Sequence, residues 1–571
     1  MSKASKISSG VAAKPLDRRL PEPVEGVDLN FCRNARCAQY GVPPDPFKRP
    51  RGTAPPASGV PRGLVGGKKH EEYYRCDTCG TTSRLKNNRA VVEEHERLRR
   101  LRESDPSAPA CQNDGCPNRT LTVAEHPECY QRFGRTQRGD RRWRCKRCAK
   151  TFSEGKPARR HKRSDKNRLV LEMLCNDMSL AKIAKISGLS YRDVYRRIDF
   201  YHERVRSLVA QREDFTRVDF GKMGSRFATD SQALTVNWPT RKRRLPVVFQ
   251  HLCTAHARSG FIMEASFQLD PEISPHEAEI QSLLADESQI STAFKRHARI
   301  WTKTEFETHL HRLAQNVGLS AADGHDLPGA GSMVRYDIMQ FAHAMRLRDH
   351  LAGTDASLVF VMDGDSGLKQ SFSTVFQPEA ATGRAHLAVV EFDKAMTNDM
   401  RNKVVAEGRI DLSASTGFSS TELRLTPPEL YAEIVDEEVA CRLIAEPVGG
   451  WFQFPFPTKS EPNKRVQILT DSPNLEAREK ARLMRLATLR SVDSYFHRFR
   501  SNVRFASRPQ VSTGGHGRTW GRHHLYDPTV LAKLVEIYRF YHNWCEPGAD
   551  KMTPAMRLGL ARGRVYERDL F

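Results

Sequence analysis

Hydrophobic positions change their period three times along this chain. Residues 1–28 are polar and Pro-rich and read as a disordered arm. From Lys166 apolar residues recur at helical spacing: Leu169, Val170, Met173 and Leu174 form one stripe. Ser179 then stands as an N-cap before LAKIAKI, and YRDVYRRIDF (Tyr191–Phe200) forms the next helix, with further helix to about Glu213. Past residue 222 the pattern becomes that of strands. One strand carries Asp230, a second spans Leu245–Thr254 and a third Gly260–Leu269. Residues 271–351 read as helical, ending in the amphipathic VRYDIMQFAHAMRLRDHL. LVFVMDGDSG (358–367) follows, an unbroken apolar run closed by turn residues, which predicts a strand buried on both faces with Asp363 at its carboxyl end. A helix from Gly367 to Phe376 and a fifth strand, His386–Phe392, complete the series.

Three strands, a helix, a strand, a helix and a strand is the succession of the ribonuclease-H-like fold, and it makes the first and fourth strands neighbours. The expected architecture is therefore multidomain α/β, with a mixed sheet covered by helices on both faces. Asp230 and Asp363 then approach closely enough to share metal, and oxygen donors suit Mg2+ or Mn2+, two ions in all. Asp365, two residues further on, is expected to form the turn or to stand behind the metal ligands, as a reserve ligand only. Residues 394–470 contain Pro, Gly and strand-like pieces (RIDLSAS, GGWFQFPFP, RVQILTD) and read as an insertion. One helical stretch begins near Asn474. On it Asp493, beside the face formed by Val492, Phe496 and Phe499, is the third acid, with Glu476 and Glu479 as rivals.

Nine of the 13 cysteines precede residue 150, and eight of these repeat in order. Cys32-x4-Cys37 with Cys76-x2-Cys79 is followed by Cys111-x4-Cys116 with Cys145-x2-Cys148, in matching surroundings (FCRNARC and ACQNDGC; YYRCDTCGTTSR and RWRCKRCAKTFS). Two knuckles joined by a loop suit tetrahedral zinc, and four thiolates leave no position for a catalytic water, so up to two structural Zn2+ are expected. Cys129 and His126 read as packing residues. The resulting division is a first ribbon with a solvated linker helix (29–105), a second ribbon (106–160), a helix-turn-helix (161–213), a catalytic domain (222–510) and a basic C-terminal segment (511–571).

Lys and Arg number 91 against 68 Asp and Glu, a formal charge of +23. That surplus favours a polyanionic partner, nucleic acid ahead of membrane. Ala184, Gly188 and Val194 occupy the small, turn and apolar-anchor positions of a helix-turn-helix, whose second helix would present Tyr191, Arg192, Tyr195, Arg196 and Arg197 to double-stranded DNA. Arg241, Lys242, Arg243, Arg244, Arg498, Arg500 and Arg504 are expected to hold phosphates. No apolar stretch approaches the roughly 18 residues of a membrane span. The first residues lack the apolar core of a secretory signal. A reducing, cytoplasmic and nucleoid-associated setting is expected.

Taken together, the ribbons, the helix-turn-helix, Asp230 and Asp363 in their strand order and the closing YRFYHNW...TPAMRLGLA resemble a bacterial insertion-sequence transposase of the DDE type. The resemblance covers nearly the whole chain. It implies metal-dependent cleavage of DNA strands, joining of the freed 3′ hydroxyl to target DNA, binding of terminal inverted repeats and action as a homo-oligomer. It also implies Asp230 on both metal ions, Asp363 on one and Asp493 on the other. One departure stands out: SVDSYFHRFR carries Asp493 where the family has glutamate. The alternatives are a zinc-containing DNA-binding regulator, an inactive domesticated descendant, or a nuclease that cuts without joining.

Overall fold

A computed structural model of the chain describes residues 18–48, 59–68, 71–137, 139–154, 161–241, 244–317, 325–445, 450–470, 475–511 and 519–571. Seven strands build its central sheet. β1 (Arg226–Val236), β2 (Val247–His256) and β3 (Ile262–Phe267) form an antiparallel meander. β4 (Leu358–Asp363) lies parallel to β1 on its other side, and β5 (Ala385–Glu391) lies parallel to β4. Two short antiparallel strands, β6 (Phe452–Gln453) and β7 (Arg465–Ile468), extend the sheet, giving the order β6-β7-β5-β4-β1-β2-β3. The chain is thus mixed α/β, with a multi-strand mixed sheet and two four-cysteine units.

The helices that position the site are, in chain order, α1 (Asn88–Glu103), α2 (Asn167–Leu174), α3 (Leu180–Ser187), α4 (Tyr191–Arg212), α5 (Tyr336–Leu351), α6 (Ser366–Val375), α7 (Asn398–Thr416), α8 (Pro428–Ala445), α9 (Ala477–Leu486), α10 (Arg490–Asn502) and α11 (Pro528–Phe540). Two of them sandwich the sheet. On β2, His251 packs its ring against Phe496 and Phe499 of α10, whereas the Thr254 hydroxyl meets His343 of α5 at 2.8 Å. Residues three apart on a strand face opposite sides, so both faces of the sheet are covered. This is why β4 could be one continuous apolar run: Phe360, Val361 and Met362 are all fully buried. Phe360 stacks on Phe227 of β1 at 5.4 Å and on Phe376, just after α6, at 4.2 Å. Each such ring contributes ~1.5–3 kcal/mol by leaving water.

Several expectations need correction. Residues 18–28 are no free arm: Leu20 is buried in the first cysteine unit, and the Arg19 amide donates to the Pro46 carbonyl at 2.8 Å. Residues 1–17 lie outside the described residues. Helix α1 is no solvated linker either, because it packs against α5 and α4. Its Glu94 is fully buried and paired with Arg97 (2.6 Å) and Arg299 (2.9 Å), and its Arg102 is buried between Glu264 and Glu536. Such charges enter a core only when paired. In the insertion, RIDLSAS belongs to helix α7, whose buried Gly408 and Leu412 are four apart. The other two strand-like pieces do supply β6 and β7, which lengthen the main sheet. The single helix expected from Asn474 is two, α9 and α10. Glu461 sets the break by accepting hydrogen bonds from the Leu489 amide (3.1 Å) and the Thr488 hydroxyl. The C-terminal segment is also part of the core. Asn543 bonds both backbone groups of Ile262 on the edge strand β3, at 2.9 and 3.1 Å. No helix among the described residues is long and apolar enough to cross a membrane.

Candidate functional site

The cysteine repeats close as two quartets. Cys32, Cys37, Cys76 and Cys79 bring all four sulfurs within 4.8 Å of one another, as do Cys111, Cys116, Cys145 and Cys148. In the first, Cys32 lies 3.6 Å from Cys79 and Cys37 3.8 Å from Cys76; in the second, Cys111 lies 3.4 Å from Cys148 and Cys116 3.8 Å from Cys145. Both are compatible with structural zinc, which needs thiolates. Burial works to raise the Cys79 thiol, but the hydroxyl and amide of Thr81 overcome it and bring it down to about 6. The Lys150 amide does the same for Cys148, also to about 6. Cys129 stands outside the second quartet with its thiol toward Glu128, and His126 pairs with the same carboxylate at 3.1 Å.

Two of the three expected acids, Asp230 and Asp493, line a cleft of about 370 Å3, and Asp363 stands at its edge beside Lys394. Asp230 lies within β1, opposite Cys253 of β2 and one residue beyond the Thr229–Met362 pairing with β4. Asp363 ends β4 opposite Val390. Asp493 sits in the first turn of α10. The cleft is lined by Asp230, Gln232, Phe392, Lys394, Asp493 and Arg500, among others. Asp363 joins them through Lys394, whose ammonium stands 3.5 Å from its carboxylate.

Electrostatics tie the group together. Asp230 is only 7% exposed. Burial, and after it the charge of Asp363, pushes its carboxyl up to about 7 against the pull of Lys394. Asp493 is also raised, by burial first; Lys394 and Arg500 oppose this, and Glu461 and Asp363 add to it. Lys394 is the reciprocal case, because burial would lower it but Asp230, Asp363 and Asp493 together raise it. Its ammonium supplies the positive charge that three clustered carboxylates require. Among the described residues, only the cysteine quartets have their ligand atoms all within 4.8 Å of one another. The aspartates are therefore spaced more loosely than the ligands of a closed metal cage, with Asp230 and Asp493 lining the cleft and Asp363 at its edge.

Arg500 is aimed by a second line of residues. Its guanidinium donates to the Gln232 side-chain oxygen Oε1 at 2.7 Å, and Nε2 of the same side chain lies 3.0 Å from Nδ1 of the buried His251 ring. The other acids have structural duties. Asp365 caps α6, accepting from the Gly367 and Leu368 amides at 2.7 and 2.9 Å and from Gln340 at 2.8 Å. Glu476 and Glu479 form the capping box of α9, beyond the break from α10, and do not line the cleft.

The basic residues divide. Ser179 and Ser190 cap α3 and α4, and Gly188 makes the turn between them at φ +68°, a left-handed conformation that favours glycine. Tyr191, Arg192, Tyr195 and Arg196 are exposed on α4. Arg197 is a correction: it is 4% exposed, and its guanidinium is spent on Asn167 and the carbonyls of Lys162, Arg163 and Asp193. Arg498 is exposed but does not line the cleft, and its charge reaches Tyr538, His542 and Glu546. Arg504 pairs with Asp177 at 3.1 Å. Arg241 and Arg244 are exposed on the loop between β1 and β2, with Arg244 over the Trp238 ring. Lys242 and Arg243 lie outside the described residues.

Sequence reasoning missed Lys394, Gln232 and Glu461. Lys394 lies three residues past β5, and only the strand order brings it beside Asp363; Gln232 carries a period-2 signal, two residues from Asp230 on the same face of β1. Comparison with protein-family models, curated proteins and solved structures yields no match to this chain.

Proposed function

We propose that the protein is a DNA-cleaving and strand-joining enzyme, a transposase of the DDE type with a ribonuclease-H-like core and aspartate as its third acid. One observation carries the reading: Asp230 and Asp493, far apart in the chain, line one cleft from β1 and α10, and Asp363 at the end of β4 stands close enough to share Lys394 and to act on both by its charge. The strand order β3-β2-β1-β4-β5, antiparallel then parallel, also supports it. The donor set suits a hard divalent cation, Mg2+ or Mn2+, because it offers carboxylate oxygens whose clustered charge calls for a cation. Asp230, Asp363 and Asp493 would hold two such ions, which when bound act as Lewis acids and make water more nucleophilic. The chain's own residues do the rest. Arg500, fixed by Gln232, and the neighbouring Arg508 hold phosphate oxygens in the cleft. Lys394 balances the acidic charge, and Tyr191, Arg192, Tyr195 and Arg196 on α4 approach the element ends. Assembly as a homo-oligomer on DNA, at the nucleoid, belongs to the same reading.

The loose spacing of the carboxylates favours a second reading, a zinc-containing DNA-binding regulator or an inactive descendant. Strand cleavage separates the two. With Mg2+ and duplex DNA bearing the sequences that flank the gene, wild-type protein should nick or cut at the element ends, and Asp230→Ala or Asp363→Ala should lose this activity. Cleavage unchanged in either variant sinks the assignment, and no cleavage by the wild type leaves the regulator.

A further inference from the structure

We infer that the second cysteine unit carries a phosphate-gripping face for duplex DNA, centred on Phe133, Arg142 and Arg144, which the first unit lacks. The inference rests on the reading of the protein as one that acts on DNA. The unit's three strands are Tyr130–Arg135, Arg141–Cys145 and Thr151–Ser153. Their alternation turns Tyr130, Trp143, Cys145 and Phe152 into the unit's own core. Phe133 and Arg144 are exposed and Arg142 is half-buried, with the ring of Phe133 43% accessible. The guanidiniums of Arg142 and Arg144 stand 5.5 and 5.8 Å from the centre of that ring. Arg142 also donates to the Thr151 hydroxyl at 3.4 Å. The ring thus holds two guanidiniums close to itself, which reduces the side-chain freedom each must lose when it meets a phosphate.

Charge identifies the partner. Between Tyr130 and Ser153 the sequence has nine Lys or Arg against one Asp; the matching stretch Leu64–Arg84 has four against three Asp or Glu. Even the knuckles differ, Asp77-Thr78 in the first unit against Lys146-Arg147 in the second. In the first unit Asp77 folds its own loop, accepting from the amides of Arg62 and Gly63 at 3.1 and 3.2 Å. A cationic face this dense fits a regular array of phosphates.

The test measures binding of full-length protein to a fluorescent 30-base-pair duplex of mixed sequence across a salt series. Removing two phosphate contacts should flatten the log K against log salt slope by about 1.8. Arg142→Ala with Arg144→Ala should show that loss while keeping both zinc equivalents and the thermal transition of the wild type. Phe133→Ala, which leaves the charge intact, should weaken binding by about two- to fivefold with the slope unchanged. Lys68→Ala with Arg75→Ala, on the first unit, should leave the slope alone. An unaltered slope in the Arg142/Arg144 variant, an equal loss from the first-unit variant, or tighter binding of a single-stranded RNA of equal length would overturn the inference while the reading as a DNA-acting protein stands or falls separately. Failure of the wild type to bind the duplex at all would overturn both.

Discussion

Around Cys32, Cys37, Cys76 and Cys79 the side chains bond largely to the rest of the chain, whereas around Cys111, Cys116, Cys145 and Cys148 they bond largely within the unit, which is tied to α4 at Ser107, 2.8 Å from the Ser207 hydroxyl. In the first unit Arg33 donates to Thr374 at 2.9 Å and to Gln370 at 3.3 Å, and Tyr40 donates to the Ser373 carbonyl at 2.6 Å. Lys86 pairs with Asp337 at 2.6 Å, and Asn87 donates to the Lys295 carbonyl at the same distance. Most of these partners lie on α5 and on α6, the helix that follows Asp363. The bonds that shape the second unit run within it: Cys111 to Tyr130, Tyr130 to the Asn118 carbonyl, Trp143 to Glu154. The same ligand spacing has become a brace for the cleft in one copy and a free basic hairpin in the other. A zinc ion held by each quartet would fix the local fold, and the residues around it decide what that fold is used for.

The strongest way to break this contrast is to remove one ligand from each quartet. Both Cys76→Ser and Cys145→Ser should cost one of two zinc equivalents, measured by elemental analysis. Structural zinc is worth ~10–16 kcal/mol in isolated finger peptides. Because the first unit is packed on α5 and α6, Cys76→Ser should lower the main calorimetric transition by about 5 °C or more. Cys145→Ser should leave it within about 1 °C. Equal effects would erase the difference between brace and free unit.

A smaller effect comes from single arginines. Arg33 is buried, and burial lowers its guanidinium to about 10. Arg33→Ala strands its partners on α6 and should cost about 2–4 kcal/mol in chemical denaturation. Arg142→Ala, at an outward face, should stay within about 0.5 kcal/mol.

The smallest effect is on pH dependence, at the cleft the first unit braces. The folded pKa of Asp230, about 7, lies above the ordinary carboxylate value, so the folded state holds its proton more tightly than the unfolded state does. Stability from this group is therefore fully present below about pH 4 and is lost as pH rises from there through about 7. In buffer without added divalent cations, Asp230→Asn should unfold at nearly the wild-type temperature at about pH 4 and at a higher temperature at about pH 8. A constant difference would mean that Asp230 does not titrate there.

How legible all this was depended on whether a residue's duty was local. β4 matches its apolar run from Leu358 to Asp363, because a strand covered on both faces has no polar positions to confuse it. The caps Ser179 and Ser190 and the turn at Gly188 were equally readable, since their bonds close within a few residues. Helix α1 was misread because its Glu and Arg residues look solvated until Arg299, Glu264 and Glu536 arrive from distant segments. The break between α9 and α10 has no Gly or Pro to announce it; Glu461, some 28 positions upstream, makes it. That break decides between Asp493 and its rivals, so the third acid was ambiguous in sequence for a tertiary reason. Arg197 shows the limit of reading charge along a helix. The period gives the face, but only packing says which face is outside.

The central claim is that Asp493 completes a cleft with Asp230 and Asp363 that cuts DNA. It is tested most directly by the rate of Mg2+-dependent cleavage of end-bearing duplex DNA by Asp493→Asn beside Glu476→Gln and Glu479→Gln. Loss of cleavage in the first, with near-wild-type rates in the other two, is the expected result. Cleavage retained by Asp493→Asn, or lost in either glutamine variant, would contradict it.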